Sequence, residues 1–477
     1  MTRAQFVAIL VNRFPYEITP SQYVLLQNLT DFLATSEKQI FVLKGYAGTG
    51  KTSIVSTLVQ NLWQIKYNFI LLAPTGRAAK IMTSYANQPA STVHRHLYYT
   101  QTDNFGKLKF TLRKNKQRRT VFVVDEASMI SGISQTDSIF DSASLLSDLI
   151  FFVYTHPSNK LILIGDTAQL PPIGTELSPA LNPVFLQQNF DIPVVDFELK
   201  QVVRQSLDSG ILFNATKIRQ EIEQEYPDKI KFNGTGFTDF VRLQNGYDIQ
   251  DAIEEAYAEQ NFEETAIIVR SNKRANLYNQ QIRNRVLLRD NELDAGDYLM
   301  VVKNNYYWLP PDSKAGFIAN GDIVEVLEIY KFVNLYGFRF AEVKLRMVDY
   351  PDEPPVDAVI MLDTLYLDTP SLPYNRTNDL YLSVNEDFKH LKTKWQRYRK
   401  VKENKYFNAL QVKFSYALTA HKSQGGQWNN VFVEQPYRFD VQNKEDLRWL
   451  YTAFTRARKK LYLIGFNSDL FLDDGVF

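Results

Sequence analysis

The segment Gly45-Tyr-Ala-Gly-Thr-Gly-Lys51-Thr52 constrains this chain more than any other. It fits G-x-x-x-x-G-K-[ST] in full, follows the apolar run Ile40–Leu43 and opens a helical stretch over Thr52–Leu62. A strand, a glycine-rich turn and a helix in that order curl backbone N–H groups around phosphate oxygens, and the helix N-terminus adds partial positive charge. Gly45, Ala47, Gly48, Thr49, Gly50 and Ser53 are expected to form the cradle. Lys51 is expected to reach the β- and γ-phosphates of ATP, and Thr52 to bind Mg²⁺. Asp125-Glu126 ends a second apolar run, Val121–Val124. A carboxylate at the edge of a strand can hold Mg²⁺, and its neighbour can activate the attacking water. Asp125 is therefore assigned to the metal and Glu126 to catalysis.

The surroundings of this loop set the fold class. Ile40–Leu43, Phe69–Leu72, Val121–Val124 and Leu161–Ile164 are near-continuous apolar runs with helical stretches such as Arg77–Tyr85 between them. Such strands suit a parallel sheet covered on both faces, hence an α/β fold. The pattern returns at Ala266–Val269, followed by a helix near Lys273–Leu288, and again at Phe414–Leu418, Val431–Val433 and Leu461–Ile464. Between 296 and 410 it changes to aromatic or alternating runs, Tyr298–Lys303, Asp322–Ile329, Phe338–Met347 and Ala358–Leu367, broken by Gly, Pro and Asn. That is a small antiparallel barrel or sheet inserted into a second α/β domain.

A length of 477 residues is about three domains' worth. With no cysteine, disulfides, thiolate zinc sites and a thiol nucleophile are excluded. Lys and Arg number 54 against 53 Asp and Glu, so a globally basic coat is excluded while a local basic groove is not. The first ten residues do not read as a signal peptide, and no run approaches the ~18 apolar residues of a membrane span. The cytoplasm is the expected compartment, at the nucleoid during work, with no membrane partner.

Further motifs follow in a fixed order. They are Ala73-Pro-Thr-Gly-Arg-Ala-Ala79, Ser91-Thr-Val-His-Arg95, Asp125-Glu-Ala-Ser128 and Gly165-Asp-Thr-Ala-Gln-Leu-Pro-Pro-Ile-Gly174. Then come Gln201-Val-Val-Arg-Gln205, Tyr416-Ala-Leu-Thr-Ala-His-Lys-Ser-Gln-Gly425 and Leu450-Tyr-Thr-Ala-Phe-Thr-Arg-Ala-Arg458. Together they resemble the superfamily 1B DNA helicases, and within them the Dda and RecD-like group. The resemblance implies two RecA-like P-loop NTPase domains with ATP between them. It divides the chain into 1–97 and 120–190 (first RecA-like domain), 98–119 (a pin hairpin), 191–295 and 411–477 (second RecA-like domain), and 296–410 (an SH3-like accessory domain with a basic helix over 385–405).

The same resemblance assigns roles. Gln22, in Thr19-Pro-Ser-Gln22, matches an adenine-reading glutamine, and Gln169 one that senses the γ-phosphate and couples it to DNA. Arg204 and Arg456 match the two arginines that reach the γ-phosphate from the second domain, and Gly425 joins the nucleotide set. Pro74, Thr75, Gly76 and Arg77, then Thr92, His94 and Arg95, and later Thr419, His421, Lys422 and Ser423 match the strand-contacting motifs. Loop N–H and hydroxyl groups at strand ends suit phosphate contact without base reading. Phe105 lies at the expected tip of the hairpin Leu97–Arg119, where it is either a wedge against the terminal base pair or an aromatic packed onto its neighbour. From Lys107 to Arg119 there are seven basic residues and no acid, which suits a phosphate-facing surface.

Within 385–405, Phe388, Leu391, Trp395 and Tyr398 are spaced as one face of a helix, with eight Lys or Arg elsewhere. Packing through that stripe and a DNA-touching arm are both compatible with it. A metal at His94 and His96 is not expected, since no Cys or carboxylate cluster accompanies them.

The expected activity is 5′→3′ movement on single-stranded DNA with duplex unwinding. The expected cofactors are ATP and Mg²⁺, and the expected partners single-stranded DNA and its junctions with duplex. The motor is expected to act as a monomer, beside single-strand-binding, replisome or repair proteins. An ATP-driven translocase on RNA, one that strips proteins, and a RecD-like motor subunit of a nuclease complex share these motifs. No appended nuclease is expected, because Phe477 follows soon after the last core run.

Overall fold

The computed structural model describes residues 1–102, 108–132, 144–172, 174–201, 208–258, 262–310, 313 and 315–472. Its first sheet is wholly parallel. In spatial order the strands are Ala90–Thr92, Asn68–Ala73, Thr120–Val124, Lys160–Gly165, Ile40–Gly45 and Val194–Leu199. The strand Ile40–Gly45 shows why an unbroken apolar run belongs here. Phe41 and Leu43 enter a core with the helices Pro20–Ala34 and Lys51–Asn61, while Ile40 and Val42 enter another with the helix Leu145–Tyr154. Both faces are dry, so the residues have no reason to alternate.

The second sheet is also parallel, in the order Ala417–Thr419, Thr265–Val269, Trp428–Glu434, Ala457–Ile464 and Phe240–Leu243. Between its strands stands a closed five-stranded barrel of Tyr298–Val301, Ile323–Leu335, Phe338–Met347, Val356–Met361 and Leu410–Phe414. The fold is therefore α/β, with two RecA-like sheets, a two-stranded hairpin (Tyr98–Thr102 with Leu108–Leu112) and an inserted barrel.

Three expectations need correction. Val194–Leu199 pairs with Ile40–Gly45, so the first sheet continues past the division expected at 190/191. The run Phe414–Leu418 is not one strand: Leu410–Phe414 closes the barrel, and Ala417–Thr419 starts the return to the second sheet. The helix over 385–405 is two helices, Tyr374–Glu386 and Lys394–Lys402. Asn385, Glu386 and Phe388 accept turn bonds that end the first, and Thr393 restarts the second through a reciprocal capping box with Gln396. The signal Thr393-Lys-Trp-Gln396 was present in the sequence. Phe388 packs on the barrel, whereas Trp395 is exposed, so the aromatic residues form no single stripe.

The barrel is pinned at both ends and leans on the first domain. Asp297, just before its first strand, accepts from Arg283 Nε (3.1 Å), Arg289 Nη1 (2.8 Å) and the Tyr416 hydroxyl (3.1 Å) beyond its last strand. Across the seam, Lys80 Nζ donates to the Val348 carbonyl at 3.0 Å. A Cβ on Gly76 would stand 2.7 Å from Asp322 Oδ1, so only glycine lets the barrel approach the helix Gly76–Ala86. Burial, with Asp349 beside it, pushes the Asp322 carboxyl up to about 8. Among the described residues no helix is long and apolar enough to cross a membrane.

Candidate nucleotide cleft and strand channel

The phosphate loop leaves the first sheet at Gly45 and enters the helix Lys51–Asn61 through Gly48 (φ 76°) and Gly50 (φ 86°). Left-handed backbone at these two positions turns the loop at little steric cost. Lys51 Nζ donates to the Gly45 and Tyr46 carbonyls at 2.6 and 2.8 Å, and Thr49 Oγ1 to the Tyr46 carbonyl at 2.8 Å. Gln22 braces the loop from the helix Pro20–Ala34. Its Oε1 accepts from Thr19 N at 3.0 Å in a capping box, and its Nε2 donates to the Thr49 carbonyl at 3.1 Å. The glutamine expected to read adenine is thus also a structural clip. Thr52 stands exposed at the head of the helix, beside the half-buried Ser53.

Asp125 and Glu126 follow the strand Thr120–Val124. Asp125 Oδ2 accepts from the Tyr85 hydroxyl at 2.7 Å, and its Oδ1 from Glu126 N at 2.9 Å, which fixes the carboxylate. Glu126 holds a φ of 51°, a costly conformation for a side-chain-bearing residue that concentrates at working sites. Burial raises the Glu126 carboxyl above its ordinary value. Arg456 opposes that rise, Asp125 adds to it, and Lys51 opposes it. Gln169 is buried, and its Oε1 has no hydrogen-bond partner among the described residues. An orphaned acceptor in a cleft wall marks a place where a ligand donor is missing.

The second domain closes the cleft with the helix Lys444–Phe454. The Tyr451 hydroxyl donates to Asp166 Oδ2 at 2.7 Å and accepts from Ala47 N of the phosphate loop at 3.0 Å. Thr452 Oγ1 accepts from Leu170 N at 2.9 Å, Gln424 Nε2 donates to the Leu170 carbonyl at 2.6 Å, and Arg448 donates to the Thr167 carbonyl. Arg456 is 2% exposed; it donates from Nε to the Thr452 carbonyl (3.1 Å) and from Nη1 to the Gly426 carbonyl (3.2 Å). Its guanidinium is held by its own domain and projects its charge onto Glu126 and Asp166 of the other. Asp166, Tyr451, Gln424 and Arg448 were not singled out from sequence, although all but Arg448 lie inside the quoted motifs. Arg204 lies outside the described residues, as does Phe105.

The residues present fit a nucleotide with Mg²⁺. The loop offers a glycine cradle and a lysine, Asp125 is held in place, and Gln169 Oε1 has no partner among the described residues. No group of three or more His, Asp or Glu able to hold a metal occurs among the described residues. A site of Thr52 and Asp125 would share the ion with phosphate oxygens, as Mg²⁺ commonly does.

A second cavity, of about 420 Å³, opens between the two domains and the barrel. Pro74, Thr75, Arg77 and His94 line it from the first domain, and His421 and Lys422 from the second. Burial and the like charge of Lys413 push the Lys422 ammonium down to about 8. A phosphate oxygen beside it would restore that proton affinity. Burial pushes the His94 and His96 rings down to about 4, with Arg113 adding to the shift at His96, so both are neutral at pH 7. His96 packs edge-on to Phe122 and Phe152.

The other expected strand contacts stand elsewhere. Gly76 faces the barrel, Thr92 caps the helix Val93–Leu97, and the stem of Arg95 passes Gly316. Thr419 precedes the short helix Ala420–Ser423, and Ser423 Oγ is spent on the Ala420 carbonyl. Gly425 packs against Thr75 and Ala78 on the channel side of the seam. In the basic run before residue 120, Arg113 Nε is tied to the Tyr98 carbonyl (2.8 Å) and Arg119 Nη2 to the Ile65 carbonyl (3.1 Å).

Known proteins resemble this chain in sequence. A model of the AAA domain matches residues 18–231, and a model of the UvrD-like helicase C-terminal domain matches residues 414–464. The ATP-dependent DNA helicase dda of Enterobacteria phage T4 is 23% identical over 90% of this chain and 96% of its own length. The ATP-dependent RecD2 DNA helicase of Deinococcus radiodurans is 31% identical over 29% of this chain and 17% of its own. A crystal structure of Pif1 helicase from Bacteroides with ADP-AlF3 and ssDNA aligns at 15% identity over 96% of this chain and 94% of that one, with a TM-score of 0.41. A phosphate-loop domain joined to a helicase C-terminal domain defines the class, that of the helicase-type P-loop NTPases. In sequence the chain is similar to helicases of superfamily 1B, in the Dda and RecD group.

Proposed function

We propose that this protein is an ATP-driven DNA helicase that moves 5′→3′ on single-stranded DNA and opens duplex ahead of it. The observation that carries this reading is a convergence. Motif segments from both domains meet at two adjoining sites, one around Lys51, Glu126 and Arg456, the other around Thr75, His421 and Lys422. The polarity and the duplex-opening step rest on the family, whose members dda and RecD2 are DNA helicases by name.

The chemistry follows from the cleft. Glu126, with proton affinity raised by burial, takes the proton of the attacking water. The water oxygen bonds to the γ-phosphorus, and the bond to the β,γ-bridging oxygen breaks, leaving ADP and phosphate. Lys51, Arg456 and Arg204 neutralise charge on the γ-oxygens, and Gln169 orients the water or the phosphate. Thr52 and Asp125 would hold Mg²⁺, which when bound would supply further neutralisation of phosphate charge. Because Arg456 belongs to the opposite domain, hydrolysis requires the closed cleft, and release lets it reopen. Alternating grip on a strand in the channel then produces steps.

Strand-stimulated turnover tests this reading. Oligo-dT is expected to raise ATP turnover by at least about tenfold, and a matched oligo-rU to do so less well. Equal stimulation by the RNA would favour a translocase on either nucleic acid. No stimulation by either would overturn the motor.

A further inference from the structure

One segment of the second domain, Gly425-Gly-Gln-Trp428, touches both sites. On the channel side the Arg77 guanidinium lies 4.0 Å over the Trp428 ring, and its Nη2 donates to the Gln427 carbonyl at 3.2 Å. On the nucleotide side the Gly426 carbonyl accepts from Arg456 Nη1 at 3.2 Å, and Trp428 N donates to the Arg456 carbonyl at 2.9 Å. Trp428 is 3% exposed. A Cβ at Gly426 would stand 2.5 Å from Trp428 Cη2 and 3.1 Å from Arg77 Nε, so the stack requires glycine there.

Arg77 is matched to a strand contact by resemblance, yet its charge already faces Asp349, Glu264 and Glu263. A guanidinium stacked on an indole, bonded to a carbonyl and surrounded by acids is not offered to a passing phosphate. Its position on the channel wall still lets a strand press on it. Arg77, Trp428 and Arg456 thus form a continuous chain of contacts from the first domain's channel wall to the second domain's catalytic arginine, which is the physical substrate for coupling.

We propose that Trp428 is a positioning residue that couples occupancy of the strand channel to the placement of Arg456. The proposal rests on the motor reading above and adds the route by which a bound strand accelerates hydrolysis. In this route Arg77 is the channel-side end of the relay and makes no phosphate contact. Leucine in place of Trp428 removes the stack, phenylalanine keeps a smaller aromatic face, and Gly426→Ala drives the indole away from Arg77.

The test uses the full chain and its Trp428→Leu, Trp428→Phe, Gly426→Ala and Arg77→Ala variants. Turnover and KM for ATP are measured with and without oligo-dT, and oligo-dT affinity is measured across salt concentration. Trp428→Leu and Gly426→Ala are expected to lower the strand-stimulated kcat by about tenfold while KM for ATP stays within about twofold. Trp428→Phe is expected to recover most of the stimulation. Arg77→Ala is expected to resemble Trp428→Leu and to leave the salt slope unchanged, whereas loss of a phosphate contact lowers that slope by about one.

Full stimulation in Trp428→Leu overturns the coupling. So does a reduced salt slope in Arg77→Ala, or a loss in Trp428→Leu that is equal with and without strand and is not recovered by phenylalanine. A parent chain whose turnover ignores oligo-dT overturns the motor reading itself, which separates the two failures.

Discussion

Arg456→Ala is expected to bind ATP within about threefold of the parent affinity and to hydrolyse it at least about a thousandfold more slowly. Among the described residues, the guanidinium's hydrogen bonds all stay within its own domain, to the Thr452 and Gly426 carbonyls and the Thr455 hydroxyl. It needs no nucleotide to hold its pose, so its removal is felt where charge develops on the γ-oxygens rather than in ground-state binding. The Gly426 carbonyl loses this donor, while the Thr452 carbonyl keeps the Thr455 hydroxyl; the loss costs stability on the order of 1–3 kcal/mol, and a thermal melt measures that separately. Arg456→Lys keeps the charge and loses the planar fork, so it is expected to fall between the two. Nucleotide titration with single-turnover phosphate release separates binding from chemistry, and near-parent turnover in Arg456→Ala would remove the role.

Lys51→Ala is expected to abolish strand-stimulated turnover, to less than about a thousandth of the parent, and to weaken nucleotide binding as well. Two effects combine. The ammonium rests on the Gly45 and Tyr46 carbonyls, and in the proposed role it is the loop's own cation for the β- and γ-oxygens. It also holds down the proton affinity of Glu126 and Asp166, both raised by burial. Without it Glu126 shifts further toward the neutral acid, a form unable to take a proton from water. Arginine is not expected to rescue. The Lys51 stem already lies 3.0 Å from where a Gly45 Cβ would be, and a planar guanidinium is a larger, differently shaped group. Steady-state turnover with oligo-dT, beside nucleotide affinity, measures both losses.

The parts of this fold that were legible in the sequence are those fixed by short-range rules. Val121–Val124 and Leu161–Ile164 read as buried strands because both of their faces are dry, and the structure places them in the first sheet. Lys51 and Thr52 read as a phosphate loop because the glycine spacing is itself the geometry. The edge strands were harder. Val194–Leu199 carries Asp196 and Glu198, and Phe240–Leu243 is only four residues long, so neither shows a continuous apolar run. The break between Glu386 and Lys394 was hidden by aromatic residues that kept helical spacing across a turn.

Some residues placed only by a distant partner carried no local signal. Tyr451 meets Ala47 across 404 residues of sequence and Asp166 across 285. No periodicity or capping rule links positions that far apart. Arg77 is the converse case: its motif was legible, but the indole that occupies its guanidinium belongs to the other domain.

The most direct test of the motor is strand displacement on matched duplexes carrying a single-stranded tail at the 5′ or the 3′ end, with ATP and Mg²⁺, and with Lys51→Ala as control. The account predicts displacement from the 5′-tailed duplex, none from the 3′-tailed one and none from either with Lys51→Ala. Displacement from the 3′ tail alone would contradict the polarity. Failure on both tails, with turnover still stimulated by oligo-dT, would contradict the helicase and leave a translocase.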